Sequence, residues 1–189
     1  ALPARSDFTD VSADQWFSKY IGYGVQEGYL AGMGDGSFKP DDPVTGYQWA
    51  KMLLCALGYD PKTEGLEGNG YEINVAKLVL TDVKLFEGNE GADYNVAATR
   101  EEAALYAFNT LEQNTVTYEG NTTIEIGGTQ VVIGTGDRQD GPTFMAKYFT
   151  KLNKETTTNG EESGPALTDA FGRTAVKWEY DGKDIGTYP

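Results

Sequence analysis

Apolar residues recur at helical spacing in two stretches within residues 8–58. Spacings of three and four residues place side chains on one face of a helix, where they can be buried together. The first stretch holds Trp16, Tyr20, Ile21, Gly24 and Val25, and the second holds Met52, Leu53, Ala56 and Leu57. Between them, residues 32–40 are too rich in glycine for a helix. Residues 8–58 therefore predict a helix, a glycine-containing loop and a second helix.

Both predicted helices are preceded by residues that favour a helix N-terminus. Ser12 with Gln15, and Thr45 with Gln48, match the capping box. In that motif the hydroxyl side chain and the glutamine side chain each accept a hydrogen bond from the other residue's backbone N–H. Gly58 follows the second stretch and predicts its end.

The same plan recurs over residues 69–111. Asn69 with Glu72 predicts the start of a third helix, and Thr99 with Glu102 predicts the start of a fourth, with a glycine-containing loop at 87–91 between them. The apolar positions of these helices are Ile73, Val75, Ala76, Val79 and Leu80, then Ala103, Ala104, Ala107, Phe108 and Leu111. Two copies of about 50 residues indicate an internal repeat whose units stabilise each other by stacking apolar faces.

After Asn114 the pattern becomes strand-like. Short β-rich runs flank Gly127-Gly128, which predicts a hairpin turn, and Asp181-Gly182 predicts a final hairpin. Residues 142–153 return to helical spacing, with Pro142 suited to the first turn. The predicted fold class is mostly α with an α+β annex. Residues 8–114 form two helix–loop–helix repeats, about 8–58 and 69–111, packed as a helical bundle. Residues 115–189 form β-hairpins and one helix.

Composition excludes several classes of function. The chain of 189 residues has a net charge of −14, which repels phosphate backbones, so nucleic-acid binding is not expected. It contains no histidine, the commonest general base and the commonest zinc ligand. The single cysteine, Cys55, lies in an apolar run and is expected to be a buried small side chain. No apolar run approaches the roughly 18 residues of a membrane span, so no membrane insertion is expected.

Several motifs of the first repeat occur in the order of a known family. Phe8-Thr9-Asp10-Val11, Trp16, Gly28, Gly32, Gly34-Asp35-Gly36-Ser37-Phe38-Lys39-Pro40 and Pro43-Val44-Thr45 resemble the S-layer homology (SLH) repeat. The resemblance is strong over about residues 8–58 and weaker over 69–111. The chain is thus similar to SLH-containing cell-surface proteins of Firmicutes. The annex, ending in Phe171-Gly172-Arg173 and Ile185-Gly186-Thr187-Tyr188, looks like segments that follow such repeats.

The resemblance implies a wall-anchoring module outside the cell and not an enzyme. SLH domains bind secondary cell-wall polysaccharide, often pyruvylated, in grooves between three repeats of a helical bundle. Two repeats are visible here, so self-association or a further repeat in a longer chain could supply the third. The family carries an arginine at a helix start. A guanidinium suits a ketal carboxylate there because it bonds in a bidentate way next to free N–H groups.

The family's arginine is present in one repeat and absent from the other. Thr45-Gly46-Tyr47-Gln48 lacks it, whereas Thr99-Arg100-Glu101-Glu102 keeps the arginine and the acid. The resemblance implies a polysaccharide site formed by Arg100, Glu102, Asp10, Trp16, Gly32 and Asp35. Plainer roles stay open: Asp10 as a structural acceptor, Trp16 as a core residue, and Arg100 as a surface cation paired with neighbouring glutamates.

A calcium loop, a catalytic site and a purely structural role are the alternatives. Residues 35–42 resemble the start of a calcium loop, but Gly46 stands where a glutamate is needed, so no metal or cofactor is expected. Acidic pairs are sequence neighbours, which do not face each other on a helix, and no histidine could activate a nucleophile. Loss of the arginine from the first repeat favours a structural or assembly module of a surface protein that no longer binds sugar. That alternative stays open.

Overall fold

The computed structural model describes residues 7–119, 122–126, 129–133, 136–155 and 175–188. Its helices are α1 (Ser18–Gln26), α2 (Gly46–Leu57), α3 (Tyr71–Thr81), α4 (Arg100–Thr110) and α5 (Phe144–Tyr148). Its strands are β1 (Asn114–Glu119), β2 (Thr122–Ile126), β3 (Thr129–Ile133), β4 (Asp137–Thr143), β5 (Leu152–Lys154), β6 (Val176–Tyr180) and β7 (Lys183–Tyr188). Four helices precede all the described strands, and the fold is mixed α+β.

Internal contacts divide the chain into two compact units, Ala1–Gly141 and Pro142–Pro189. Strand β1 therefore belongs to the first unit together with helices α1 to α4. The domain boundary that the sequence predicts after residue 114 stays a prediction. In the described part of the chain, no helix is both long and apolar enough to cross a membrane.

Helix α2 is the element on which α3, α4 and β1 all pack. Thr45 and Gln48 form the predicted capping box, with Gln48 N donating to Thr45 Oγ1 at 3.2 Å and Thr45 N donating to Gln48 Oε1 at 2.9 Å. Gly58 ends the helix with a φ of 103°, as predicted. Cys55 is buried, which confirms the sequence expectation, and burial raises the pKa of its thiol to about 11.

Helix α1 begins later than the sequence predicts. Gln15 Oε1 accepts a hydrogen bond from Ser12 N at 2.9 Å, but residues 12–17 form turns and the helix starts at Ser18. The helix buries Ser18, Ile21 and Gly24. Trp16 precedes the helix and does not share this buried face. The expectation that Trp16 is a core residue is therefore wrong, because its side chain is 77% exposed.

Helix α3 buries only part of the predicted apolar set, Val75 and Val79. The helix starts at Tyr71, directly after Gly70, whose backbone is in the left-handed region. No side chain caps this start, so the predicted start at Asn69 is wrong. Val75, Leu78 and Val79 are buried, whereas Ile73 and Leu80 are exposed. At 100° per residue, Ile73 and Leu80 lie on the face opposite the buried three. Helix α4 has the predicted capping box at Thr99 and Glu102.

Strands β1 and β4 pair with each other, and a cluster of charged and aromatic side chains holds them to the helical part of the first unit. Arg138 of β4 bonds Asp82 at 2.6 Å, lies 3.5 Å from Glu64, and covers the ring of Tyr59. Tyr118 of β1 donates its hydroxyl to Glu64 at 2.7 Å. The strands β2 and β3 pair antiparallel, and the predicted turn at 127–128 lies outside the described residues.

In the second unit the predicted helix over 142–153 is much shorter. Thr143 caps α5 by accepting a hydrogen bond from Ala146 N at 3.3 Å, and Pro142 lies in β4 instead of the first helical turn. Leu152 lies in β5, because residues after α5 join the sheet β5–β6–β7. Asp181 and Gly182, both with positive φ, form the predicted final hairpin turn. The motif at 171–173 lies outside the described residues.

Candidate functional site

Asp10 holds the glycine-containing loop of the first repeat in place. Its carboxylate accepts hydrogen bonds from Phe38 N at 2.9 Å and Lys39 N at 2.7 Å. The bond from Phe38 N is the largest cause of a lowered pKa for this carboxyl group. Thr9 adds a bond from its N–H to Gly36 O at 3.0 Å. The structural role that the sequence left open for Asp10 is therefore present.

Asp35 and Gly32 shape the same loop from within. Asp35 accepts hydrogen bonds from Ser37 N at 2.9 Å and Ser37 Oγ at 2.6 Å, which lower the pKa of its carboxyl group. A Cβ on Gly32 would lie 2.3 Å from the ring of Phe8, so no larger residue fits without movement. Phe8 and Phe38 pack with ring centroids 5.3 Å apart beneath the loop. Among the described residues, no group of three or more His, Cys, Asp or Glu side chains could hold a metal ion.

Glu102 is fixed at the start of α4. One carboxylate oxygen accepts from Thr99 N at 2.8 Å and Thr99 Oγ1 at 3.0 Å, and the other accepts from Asn89 Nδ2 at 3.1 Å. These bonds, with that from Thr99 N the largest cause, lower the pKa of Glu102. Asn89 Nδ2 also contacts Tyr106 Oη at 2.7 Å, which links the loop of the second repeat to α4.

Arg100 occupies the first position of α4 and is exposed. Within the described residues it forms no ion pair, so the pairing with neighbouring glutamates that the sequence left open is not seen there. The backbone N–H groups of Arg100 and Glu101 likewise have no acceptor in the part of the chain that the structure describes. The start of α4 thus presents a guanidinium and two open N–H groups together.

The start of α2 differs because the chain itself covers it. Gly46 N donates to Val96 O at 3.3 Å, and Tyr47 N donates to Tyr94 O at 3.0 Å. Ala98 N donates back to Val44 O at 2.8 Å. Gly46 is buried, and a Cβ there would lie 3.1 Å from atoms of Tyr94. We call residues 94–98 the strap, since they close the N-terminus of α2 with main-chain carbonyl groups.

The family model that matches this chain covers the first of these sites. It describes the S-layer homology domain and matches residues 7–48, from the segment before Asp10 to the capping box of α2. The chain contains an S-layer homology domain. Such a domain implies attachment to the cell wall in general and a location at the cell surface.

Two relatives agree with this assignment. The "Middle cell wall protein" of Brevibacillus brevis (strain 47) is 33% identical over 79 residues, which are 39% of this chain and 8% of that protein. The "Surface layer protein" of Brevibacillus choshinensis is 36% identical over 78 residues, which are 39% of this chain and 7% of that protein. The matched region spans less than a tenth of either relative. No solved structure matches the chain.

The structure groups the predicted site residues into two sets. Asp10, Gly32 and Asp35 belong to the loop of the S-layer homology domain, and Arg100 and Glu102 belong to the start of α4. No hydrogen bond or ion pair within the described ranges joins the two sets. Trp16 stands apart from both, on the turn before α1. In both sets the acids accept hydrogen bonds from the backbone. Arg100 and Trp16 are exposed and, within the described residues, their side chains form no such bond.

Sequence reasoning missed the neighbours of Trp16. Ala13, Gln15, Lys19 and Tyr20 line a cavity of about 290 Å³ together with Trp16. Tyr20 was assigned to the apolar stripe of the helix, but it is 52% exposed. The spacing of four residues between Trp16 and Tyr20 was the available signal. It cannot tell an exposed aromatic pair from a buried one.

Proposed function

We propose that this chain anchors a longer surface protein to the cell wall by binding secondary cell-wall polysaccharide, without catalysis. The S-layer homology domain supports attachment in general. The observation that supports polysaccharide as the ligand is the start of α4, where Arg100 is exposed and has no ion-pair partner within the described residues. A polymer carrying carboxylates, such as pyruvylated sugars, is the ligand class that this arrangement favours.

The chemistry of the start of α4 suits a carboxylate. A guanidinium can donate two parallel hydrogen bonds to one carboxylate, and the pair is stronger than neutral hydrogen bonds. The open N–H groups and the helix dipole add a favourable potential for an anion at the same place. Glu102 would act by fixing the first turn of the helix, since its oxygens already accept bonds from Thr99 and Asn89.

The remaining predicted residues would act through the shape of the first repeat. Asp10, Asp35 and Gly32 set the path of the loop, and Trp16 offers an exposed ring on the turn before α1. We propose that the two repeats pack as a helical bundle around α2, as in the family. A further repeat of the parent protein or a second copy would complete the three-repeat arrangement.

A structural or assembly role is the second candidate, and the strap favours it for the first repeat. The N-terminus of α2 carries Gly46 instead of arginine, and its first N–H groups already bond Tyr94 and Val96. A ligand there would have to displace main-chain hydrogen bonds. Under this second proposal the start of α4 would also contact no sugar, and the module would only build a surface lattice.

Calorimetric titration separates the two candidates. Polysaccharide released from Gram-positive sacculi is titrated into the purified chain, with teichoic acid as an unrelated anionic polymer. The anchoring proposal expects saturable binding of the polysaccharide and none of the teichoic acid. Absence of heat with the polysaccharide, for a chain shown by circular dichroism to be folded, would favour the lattice role.

A further inference from the structure

Asn69 and Gly70 form an exposed turn directly before α3. Asn69 does not cap the helix, and within the described residues its side-chain amide forms no hydrogen bond. The backbone N–H of Gly70 likewise has no acceptor in the part of the chain that the structure describes. The amide carbon of Asn69 and the main-chain nitrogen that follows it are therefore open to water, and no partner holds them apart.

Gly70 leaves room for a reaction between these two groups. Its φ is 78°, and a Cβ built on it would meet no atom within 4 Å. A side chain at this position would crowd the approach of the Asn69 amide carbon to the next nitrogen, whereas glycine leaves that nitrogen accessible. The chain has a second Asn-Gly pair, Asn159-Gly160, which lies outside the described residues.

The start of α3 favours the loss of a proton from Gly70 N. The first N–H groups of a helix and its dipole create a positive potential at the N-terminus. A nitrogen anion that forms there is stabilised in the same way as a bound carboxylate. Glu72, the acid of the first turn, offsets part of this potential. Exposure, an accessible nitrogen and the helix start thus act on the same pair of residues.

Other asparagines of the first unit are held by hydrogen bonds. Four of them donate their side-chain amide to oxygen atoms of neighbouring groups: Asn74, Asn89, Asn95 and Asn109. They are followed in sequence by valine, glutamate, valine and threonine, all of which carry a Cβ. Asn74 is the most useful comparison with Asn69, because it lies inside α3 and donates to Gly65 O at 2.9 Å.

We propose that Asn69 is a site of spontaneous deamidation, an inference that does not depend on the proposed function. Gly70 N attacks the amide carbon of Asn69, the bond from that carbon to the side-chain nitrogen breaks, and ammonia leaves with the proton from Gly70 N. The product is a succinimide ring. Water then opens the ring: addition at the side-chain carbonyl gives aspartate, and addition at the main-chain carbonyl gives isoaspartate.

The two products change the start of α3 in different ways. Both add one negative charge to the net charge of −14. Aspartate places that charge beside a helix N-terminus, where it is favourable. Isoaspartate also lengthens the main chain by one carbon before Gly70, whose carbonyl accepts from Ile73 N at 3.1 Å. The isoaspartate form should therefore lose order in the first turn of α3, and the aspartate form should keep it.

Peptide mapping by mass spectrometry tests the proposal. The folded chain is kept in neutral buffer for several weeks, beside the same chain unfolded in guanidinium chloride, and samples are digested with trypsin. The peptide 63–77 carries both Asn69 and Asn74, so fragment ions report the gain in mass at each asparagine separately. Asn69→Gln is the control variant, because glutamine would have to form a larger ring and reacts far more slowly.

The folded chain should convert Asn69 within about tenfold of the rate in the unfolded chain, since fixing the backbone of one residue changes a rate by roughly that factor. Asn74 and the Asn69→Gln variant should stay unmodified in peptide 63–77. Amide exchange at Ile73 should be faster in the purified isoaspartate form than in the Asn69→Asp variant.

Three results would overturn the proposal. An intact Asn69 in the folded chain, after the unfolded chain has converted, would show that the fold protects this turn. Equal conversion of Asn69 and Asn74 in the folded chain would show that exposure and the following glycine do not select the site. An intact Asn69 in both the folded and the unfolded chain would show that this Asn-Gly pair is unreactive.

Discussion

At the scale of single residues, the acidic side chains of the two repeats are bound to the backbone and two other side chains are left open. Asp10, Asp35 and Glu102 each accept from backbone N–H groups, and these bonds help to lower their pKa values. Charge-assisted bonds of this kind favour the ionised carboxylate. Arg100 and Trp16 have no comparable role in holding the fold, so they can be replaced without disturbing it.

Replacing Arg100 should weaken polysaccharide binding while leaving stability nearly unchanged. Loss of charge-assisted bonds to a carboxylate costs about 1.5–3 kcal/mol, so Arg100→Ala should bind about tenfold or more weakly. Arg100→Lys keeps the charge but loses the planar guanidinium, so its affinity should lie between those of the native chain and Arg100→Ala. Calorimetry is the measurement, and Lys77→Ala, an exposed cation of α3, is the control. Equal affinities for all four chains would remove Arg100 from the site.

Replacing Asp10 should change how stability depends on pH. The folded-state pKa of Asp10 is lowered below its ordinary value of 3.8. Its contribution is therefore present above that value and is lost as pH falls through the folded-state pKa. Asp10→Asn should be less stable than the native chain at pH 7, and this difference should shrink as the pH falls below about 4.

Thermal unfolding from pH 7 to pH 2.5 measures this difference. Asp14→Asn, a neighbouring exposed acid with no hydrogen bond among the described residues, is the control and should follow the native chain. A constant gap between Asp10→Asn and the native chain at every pH would mean that the ionised carboxylate does not hold the loop.

At the scale of elements, the helix starts at α2 and α4 could be predicted from sequence and those at α1 and α3 could not. Thr45 and Thr99 each act with a partner three residues later, so the signal is local. Ser12 with Gln15 has the same local pattern and forms one of its bonds, but the backbone turns instead of entering a helix. A capping motif predicts a local hydrogen bond but does not determine the backbone conformation of the residues that follow it.

Gly58 should be much less tolerant of alanine than another glycine with positive φ. At Gly58, φ is 103° and a Cβ would lie 2.3 Å from Val116 O, so helix α2 and strand β1 would be pushed apart. At Gly28, φ is 76° and nothing lies within 4 Å of a Cβ. Gly28→Ala should cost about 1–2 kcal/mol of unfolding free energy, from backbone strain alone.

Gly58→Ala should cost about 2–4 kcal/mol, because overpacking adds to the strain. Urea denaturation of both variants measures the difference. Equal losses would show that β1 does not pack on the end of α2 as described.

The strap should protect one helix start from hydrogen exchange and not the other. Gly46 N and Tyr47 N donate to strap carbonyl groups, whereas Arg100 N and Glu101 N have no acceptor within the described residues. Amide exchange followed by NMR should therefore be slow at 46 and 47 and fast at 100 and 101. Adding the polysaccharide should slow exchange at 100 and 101 only. Fast exchange at all four amides would mean that the strap does not close α2.

At the scale of the whole molecule, charge is distributed unevenly between the two compact units. Residues 1–141 carry 9 basic and 22 acidic side chains, and residues 142–189 carry 6 and 7. An anionic polymer is therefore repelled by the first unit as a whole and must be bound by local cationic groups. Arg100 and Lys19 are such groups, and both are exposed.

The candidate site shows where sequence reasoning stops. The loop of the first repeat was predictable because residues 32–40 are too rich in glycine for a helix, although Asp10 bonds it from 28 residues away. The exposure of Trp16 was not, since it depends on where α1 begins and which face it buries. That the strap covers the N-terminus of α2 could not be predicted either. The strap lies about 50 residues away in sequence and acts through main-chain atoms, which no side-chain pattern reveals. Distant backbone contacts therefore decide which of the two helix starts is open.

The most direct test of anchoring is co-sedimentation of the purified chain with sacculi, before and after their secondary polysaccharide is removed. The account predicts that the chain pellets with intact sacculi, stays in solution with stripped sacculi, and pellets less when Arg100 is replaced by alanine. A folded chain that never pellets, or that pellets equally with stripped sacculi, would contradict the account.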